Sequence, residues 1–548
     1  MPGRTTGVAY KQAALEDWWD AIVIGSGMGG LTTAALLAKQ AGQRVLVLER
    51  HYTAGGFTHA FHRPGYEWDV GVHYIGQMQE PASGVRAAFD HLTEGRLAWK
   101  PMPDVYDEIR IADRVYEFHS GVEQFRDGLV GSFPGEAQAI DRYLAAVRSA
   151  VKVSNLYFAE KAIPRVLARL AGSLMRAPFL RWSNRTTADV LAEITTNREL
   201  IGVLTAQWGD YGLPPAQSSF AAHATIVEHY LKGASYPVGG ASRIAASIAP
   251  IIERSGGKIV VSAEVDQIIV DKSGRAKGVR MADGREFRAR TVVSDAGALN
   301  TFERLLPPDA PGCSAITADI RAVGRSMSYV SLYAGLDKSA ADLGFTGTNI
   351  WAYPTPDHDS NVARYNADAA APFPMLFISF PSAKDPEFEA RHPGHSTIEV
   401  ISLAPYEWFS QWENTRWKHR GPAYDELKRR FTERLLGGLE KHVPAARGHI
   451  QHAELSTPLS TRHFSNHQAG EAYGLNVTPA RFRLRSLSAQ TPVQNLFLTG
   501  SDVALLGVTG AMFGGIVAAS AILGRNLVGK VTKPAAVQAT VNAAVNAA

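Results

Sequence analysis

The chain has 548 residues, 45% of them hydrophobic and 20% charged, an ordinary globular composition that excludes global disorder and leaves room for two lobes with substantial cores. Lys and Arg (56) nearly balance Asp and Glu (52), a net charge of +4 that argues against a nucleic-acid partner. A single cysteine, Cys313, excludes an intrachain disulfide and a thiol-pair redox centre and points to a reducing cytoplasm.

Residues 1–17 carry scattered charges and no apolar h-region, so no signal or transit peptide is expected. The segment 20–56 then gives an apolar strand (21–24), Gly25, Gly27 and Gly30, a helix-like run, a second strand (44–48) and the acid Glu49. This order is what a dinucleotide-binding βαβ unit requires. Gly25 permits the tight turn, Gly27 lets the backbone approach a pyrophosphate at the helix N-terminus, and Gly30 allows close helix-to-strand packing. Glu49 is placed to accept from a ribose hydroxyl. A second glycine pair, Gly55 and Gly56, extends the loop beyond what a nicotinamide dehydrogenase needs.

Further along, residues 161–181 read as an amphipathic helix, with Ile163, Val166, Leu167, Leu170 and Leu174 on one face and Arg165, Arg169 and Arg176 on the other. That is the pattern of a helix lying in an anionic membrane surface, and equally of a core-facing helix with a solvated basic face. The middle of the chain supplies a helix (241–253), a strand (258–261), and a ribbon (265–270 and 277–281) with turns at Ser273-Gly274 and Asp283-Gly284. A buried strand (291–294) follows. Residues 503–524 are uncharged and long enough to span a bilayer, but their glycines predict a helix buried beneath a ligand. Three pieces, 18–75, 236–299 and 492–527, read as one discontinuous nucleotide-binding domain. Residues 76–235 and 300–491 form a second lobe, and 534–548 a loose tail.

Three blocks carry a resemblance. Gly65-Tyr66-Glu67-Trp68-Asp69-Val70-Gly71-Val72-His73-Tyr74-Ile75-Gly76 resembles a segment of the retinol saturases and, less closely, of carotenoid isomerases and bacterial phytoene desaturases. Tyr236-Pro237-Val238-Gly239-Gly240 with Gly256-Gly257-Lys258-Ile259 is similar to their mid-chain element, and Asn495-Leu496-Phe497-Leu498-Thr499-Gly500-Ser501-Asp502 to their C-terminal flavin motif. The resemblance implies an α/β fold: a Rossmann-like, glutathione-reductase-like FAD domain interleaved with an α+β substrate domain. It further implies FAD as cofactor and an oxidoreductase that saturates, desaturates or isomerises double bonds of an apolar isoprenoid lipid, retinoid or carotenoid. The implied setting is the cytoplasm or the inner face of a membrane.

On this reading Gly25, Ser26, Gly27, Gly30, Glu49, Arg50, Gly55 and Gly56 hold FAD. Val265 contributes a backbone contact to adenine, or is a plain strand valine. Gly500 and Asp502 belong to the flavin motif, with Asp502 on the ribityl or pyrophosphate region or acting as an N-cap. Gly510, Ala511 and Met512 present backbone to the isoalloxazine. His73, Tyr74 and Tyr473 are the candidates for proton transfer, each with a packing role as the alternative. The spacings of His51, His59, His62 and His73 match no metal signature, so no metal is expected. No GxSxG, HExxH, CxxC or P-loop occurs. With one GxGxxG, electrons must come from or go to a transient partner: a quinone, oxygen or a reductase. Two rivals stay open: a flavin amine oxidase, which needs an aromatic cage for which Phe464 and Tyr473 are the nearest candidates, and a prenyl-lipid-binding protein resembling Rab GDP-dissociation inhibitors, which needs no flavin.

Overall fold

In the computed structural model the described residues are 5–534 apart from 72 and 164, together with all their side chains except those of 165–167 and 169. The strand Trp18–Ile24 lies parallel between Val45–Leu48 and Glu286–Ser294, in an eight-stranded sheet continued by Lys258–Val261 and Val8–Ala9 on one side and by the antiparallel ribbon Ala276–Met281 and Val265–Val270 on the other. Ala21–Ile24 and Val45–Leu48 read as unbroken apolar runs because they are buried on both faces. Leu496–Leu498 joins the same sheet parallel to Glu286–Ser294. The N- and C-terminal motifs thus end at one edge of one layer.

Helix Met28–Ala41 starts at the glycine loop, and helix Gly507–Leu523 packs along it. The packing needs small residues: a Cβ on Gly515 would lie 2.7 Å from the Gly29 carbonyl oxygen and 2.6 Å from Thr32 Cβ. The uncharged C-terminal run is therefore an interior helix. Among the described residues no helix is long and apolar enough to cross a membrane.

The second lobe is built on a seven-stranded sheet in the order Ile450–Ser456, Tyr329–Leu336, Ser396–Leu403, Leu376–Ser379, Asn349–Tyr353, Val105–Ile111, Arg114–His119. Helices including Ala137–Lys152 and Phe220–Tyr230 pack against one another beside it. A three-stranded sheet of Ile75–Gly76, Ala234–Pro237 and Trp99–Pro101 lies where the chain passes between lobes. Two helices read from sequence as second-lobe material pack elsewhere. Gly84–Thr93 contributes Val85, Phe89 and Leu92 to the core around Leu31, and Cys313–Val323 contributes Ile316 and Ile320 to the core around Val292. Their ordinary amphipathic patterns carry no nucleotide signature by which sequence could assign them.

The segment 161–181 is corrected more sharply. It is a turn after the helix Ser154–Glu160, followed by the helix Arg165–Ser183, and the orientation of its described side chains is the reverse of a buried apolar face. Leu170 and Leu174 are 78% and 80% exposed. Arg176 is buried: its guanidinium donates to the carbonyls of Phe482 and Leu484 and lies over the Tyr157 ring. Buried carbonyls need donors, and Arg176 supplies them. The expected face of Arg165 and Arg169 lies outside the described side chains.

Candidate functional site

A cavity of about 1990 Å³ runs from the glycine loop into the second lobe. Ligand pockets are commonly about 300–1,000 Å³, so this one has room for a large cofactor and a large substrate together.

At the first end, Glu49 Oε2 accepts from the Ser26 N–H (2.9 Å) and hydroxyl (2.7 Å), and Oε1 accepts from the His51 N–H (2.8 Å). The acid thus locks the loop that follows the strand, and Oε1 keeps a lone pair for a ribose hydroxyl. Gly25, Ser26, Gly27, Arg50, Gly55, Gly56 and Val265 line this end. Arg50 donates to the His463 carbonyl and lies 3.5 Å from Glu264. Asp295 also lines it, a residue sequence reasoning missed. Burial pushes its carboxyl up to about 7, against the Gly30 and Gly27 N–H groups, and the charges of Glu49 and Asp502 add to the rise. Its one signal was its place directly after the buried strand 291–294.

At the far end the walls are aromatic and apolar, with Tyr230, Tyr329, Trp351, Met375, Phe377 and Ile401. His73 is buried with both ring nitrogens turned to protein, Nε2 2.7 Å from the Phe57 carbonyl oxygen and Nδ1 3.3 Å from Asp69 Oδ2. Tyr74 stacks on Tyr230, and its hydroxyl reaches Asp107 Oδ2 (3.1 Å) and Asp210 Oδ2 (3.3 Å). Tyr473 donates to the Gly209 carbonyl (3.2 Å), as does Tyr329 (3.1 Å).

The chain matches the family model described as flavin containing amine oxidoreductase over residues 28–523. It is 38% identical over 526 residues to the all-trans-retinol 13,14-reductase of Danio rerio, covering 93% of this chain and 86% of that protein. It is 37% identical to the Homo sapiens protein of the same name, covering 95% and 88%. A chloroplastic prolycopene isomerase of an Oncidium hybrid cultivar is 27% identical, covering 83% and 75%. Among solved structures, a putrescine oxidase shares the fold at a TM-score of 0.59 and 14% identity, covering 93% of this chain and 99% of that one.

The chain belongs to the flavin-containing amine oxidoreductase family. It is an oxidoreductase of the retinol saturase-like and carotenoid isomerase-like group, and its cofactor is FAD. The residues present fit that cofactor. The helix Gly507–Leu523 begins in the cavity wall with no side-chain cap, so the N–H groups of its first turn are free to face negative charge on a flavin ring.

That helix start corrects two expectations. Its N–H groups without a ladder partner are those of residues 507–509, whereas the N–H groups of Gly510, Ala511 and Met512 lie inside the helix ladder; Gly510 and Ala511 still line the cavity and Met512 is wholly buried in the core. Asp502 lies five residues before the helix and caps nothing there. Its Oδ2 accepts from the Ala298 N–H (2.7 Å) and its Oδ1 from the Leu475 N–H (3.1 Å), so it ties two loops together behind the cavity. Gly500 stands behind the lining in backbone contact with Gly29, and Gly30 stands there against the Gly25 carbonyl, the close helix-to-strand packing expected of it.

The fold also gathers His62, Glu67 and His392, which no spacing announced. The two imidazoles lie 3.3 and 3.6 Å from Glu67 Oε2, and Arg391 lies 3.5 Å from Oε1. Burial and the Arg391 charge lower both imidazoles, so Arg391 is the cation that pairs with this carboxylate. Asp107 and Asp210 were missed altogether, although Asp210 sits between Gly209 and Tyr211-Gly212, a turn that could have marked it.

Proposed function

We propose that this enzyme saturates a carbon–carbon double bond of a long apolar polyene of the retinoid class. The observation that carries the reading is the continuity of one cavity, from the phosphate-binding loop at Gly25–Gly27 to the apolar wall of Trp351, Met375 and Phe377. When bound, FAD supplies the hydride chemistry. The chain's own residues do the rest: Glu49 and the first turn of helix Gly507–Leu523 orient the cofactor, and the aromatic wall holds the polyene out of water. Two relatives that match over more than nine-tenths of this chain, the Danio rerio and Homo sapiens proteins at 38% and 37% identity, are named all-trans-retinol 13,14-reductases, which favours saturation over isomerisation. The amine-oxidase reading is weaker. Phe464 packs with His51 and Trp417 near the nucleotide end, and Tyr473 with Tyr329 at the other, so the two belong to separate clusters. Lipid extracts of producing cells with and without the protein test the proposal. A polyene that loses one double bond supports it, and an unchanged polyene profile with peroxide released from amines overturns it.

The finer reading places the protein on a membrane surface. Leu156 lines the cavity and is 51% exposed, and Leu170 and Leu174 project from the neighbouring helix. Arg181 shares the helix face of Leu174, and Arg485 donates to Ser173. Leucines flanked by cations match the boundary of an anionic bilayer from which an apolar substrate can leave. Substituting all three leucines by serine should lower sedimentation with phosphatidylserine vesicles and leave bound FAD unchanged. Equal sedimentation of both proteins counts against the membrane.

A further inference from the structure

Residues 206–211 form a buried turn clamped by phenols from three other segments: Tyr353 donates to the Ala206 carbonyl, and Tyr329 and Tyr473 both donate to that of Gly209. The clamp fixes the next residue, Asp210, in the cavity wall. Behind it lies Asp107 on the strand Val105–Ile111, fully buried. Between the two carboxyl groups stands the Tyr74 hydroxyl, 3.1 Å from Asp107 and 3.3 Å from Asp210.

A hydroxyl has one hydrogen and cannot donate to both acids at once. Two carboxylates that share one hydroxyl at the apolar end of the cavity resist being charged together, so in the resting enzyme one of them keeps a proton. Asp107 is the better-served anion. It accepts from Gln207 Nε2 and Asn349 Nδ2, both at 2.8 Å, and Lys384 donates to the same Asn349 side chain. Among the described residues Tyr74 is the hydrogen-bond donor to the Asp210 side chain. Burial raises both acids, and Asp210 is driven well above the ordinary carboxylate range, with the Asp107 charge adding to the rise.

We propose that Asp210 is the acid that protonates the substrate carbon, with Tyr74 as the bridge and Asp107 as the charged counterpart. This rests on the saturation reading. In that reaction one alkene carbon takes up the hydride, two electrons supplied by reduced flavin. Its neighbour uses the π pair to bond the Asp210 proton. The Asp210 O–H bond breaks, a C–H bond forms, the alkene is reduced by two electrons and the flavin is oxidised by two. Asp210 is left as a carboxylate, to which Tyr74 can turn its hydrogen until a proton returns from water. Sequence spacing pointed to His73 for this task, but the nitrogens of His73 face Phe57 and Asp69.

The test uses holoenzyme in two measurements. The infrared spectrum of protein labelled with carboxyl-¹³C aspartate at pH 7 should show, beyond the contribution of Asp295, a protonated-carboxyl stretch that disappears in Asp210→Asn and survives in Tyr74→Phe. In a single turnover of dithionite-reduced enzyme with all-trans-retinol, Asp210→Asn should keep its flavin and slow polyene reduction by about 10² or more, the common worth of general acid catalysis, and Asp210→Glu should recover part of the rate. Persistence of the band in Asp210→Asn, or an unslowed turnover, overturns the proposal. If wild-type enzyme with a normal band reduces no polyene, the saturation reading fails and the acid role falls with it.

Discussion

Gly29 and Gly500 meet backbone to backbone, so that a Cβ on Gly29 would fall inside the Gly500 main chain. This contact joins the N-terminal glycine loop to the C-terminal flavin motif. Neither side can yield by moving a side chain. Gly29→Ala should therefore destabilise the protein by about 1–3 kcal/mol, the usual penalty of overpacking, and reduce flavin content as well. At Gly27 a Cβ would meet the end of the Asp295 side chain, 2.7 Å away, which can move. Gly27→Val should keep the fold and lose the flavin colour. Thermal melting and the ratio of visible to ultraviolet absorbance separate the two, and an unshifted melt for Gly29→Ala would falsify the close-contact argument.

His73 and Asp69 form a buried pair whose loss should register as stability before chemistry. Burial alone would raise the Asp69 carboxyl, but His73, the Tyr236 hydroxyl and the Ala241 N–H outweigh it and hold the group below its ordinary value of 3.8. A depressed carboxyl contributes stability above its unfolded value, and that contribution is lost as pH falls through the folded one. Leaving a buried carboxylate without its partner costs about 3–5 kcal/mol. His73→Ala should accordingly melt much lower than wild type at pH 7, and the gap should narrow as the medium is acidified into the carboxylate range. With Asp210 as the acid, flavin-loaded His73→Ala should retain its single-turnover rate within about tenfold, against the 10² or more of a lost general acid. A rate loss without a stability loss would return the proton to His73.

Lys161 is buried, donates to the Leu487 carbonyl and lies near Arg481 and Arg176. Burial first, and those charges second, bring its ammonium down to about 7. Between about 7 and the ordinary 10.5 the unfolded chain binds a proton that the folded protein has released, so stability rises with pH across that window. Lys161→Met should be most favourable relative to wild type at pH 6 and lose that advantage toward pH 10. Denaturant melts at the two values measure it. A pH-independent difference would mean that Lys161 keeps its charge in the fold.

The cofactor half of the site was legible in the chain because its chemistry depends on backbone. Gly25, Gly27, Gly30 and Glu49 each answer a geometric demand that residue type and spacing reveal. The strand at 258–261 and the ribbon turns at Gly274 and Gly284 were readable for the same reason. The substrate half depends on side chains brought together from distant segments. Tyr74, Asp107, Asp210 and Asn349 come from four stretches of sequence, and no spacing joins them. The helix Arg165–Ser183 shows a further limit. Its periodicity was real, but periodicity does not say which face turns inward, and carbonyls at 482 and 484 drew Arg176 into the core while Leu170 and Leu174 went out.

In the proposed reaction reducing equivalents pass from the flavin to one double bond of an apolar polyene. Anaerobic stopped-flow mixing of dithionite-reduced holoenzyme, freed of excess reductant, with all-trans-retinol in phosphatidylserine vesicles reads both partners at once by absorbance. Flavin reoxidation and loss of one conjugated double bond are expected in equal amounts, with the same time course. Reduced flavin that persists beside unchanged retinol, in an enzyme whose oxidised flavin is bleached by amines, would contradict that reaction.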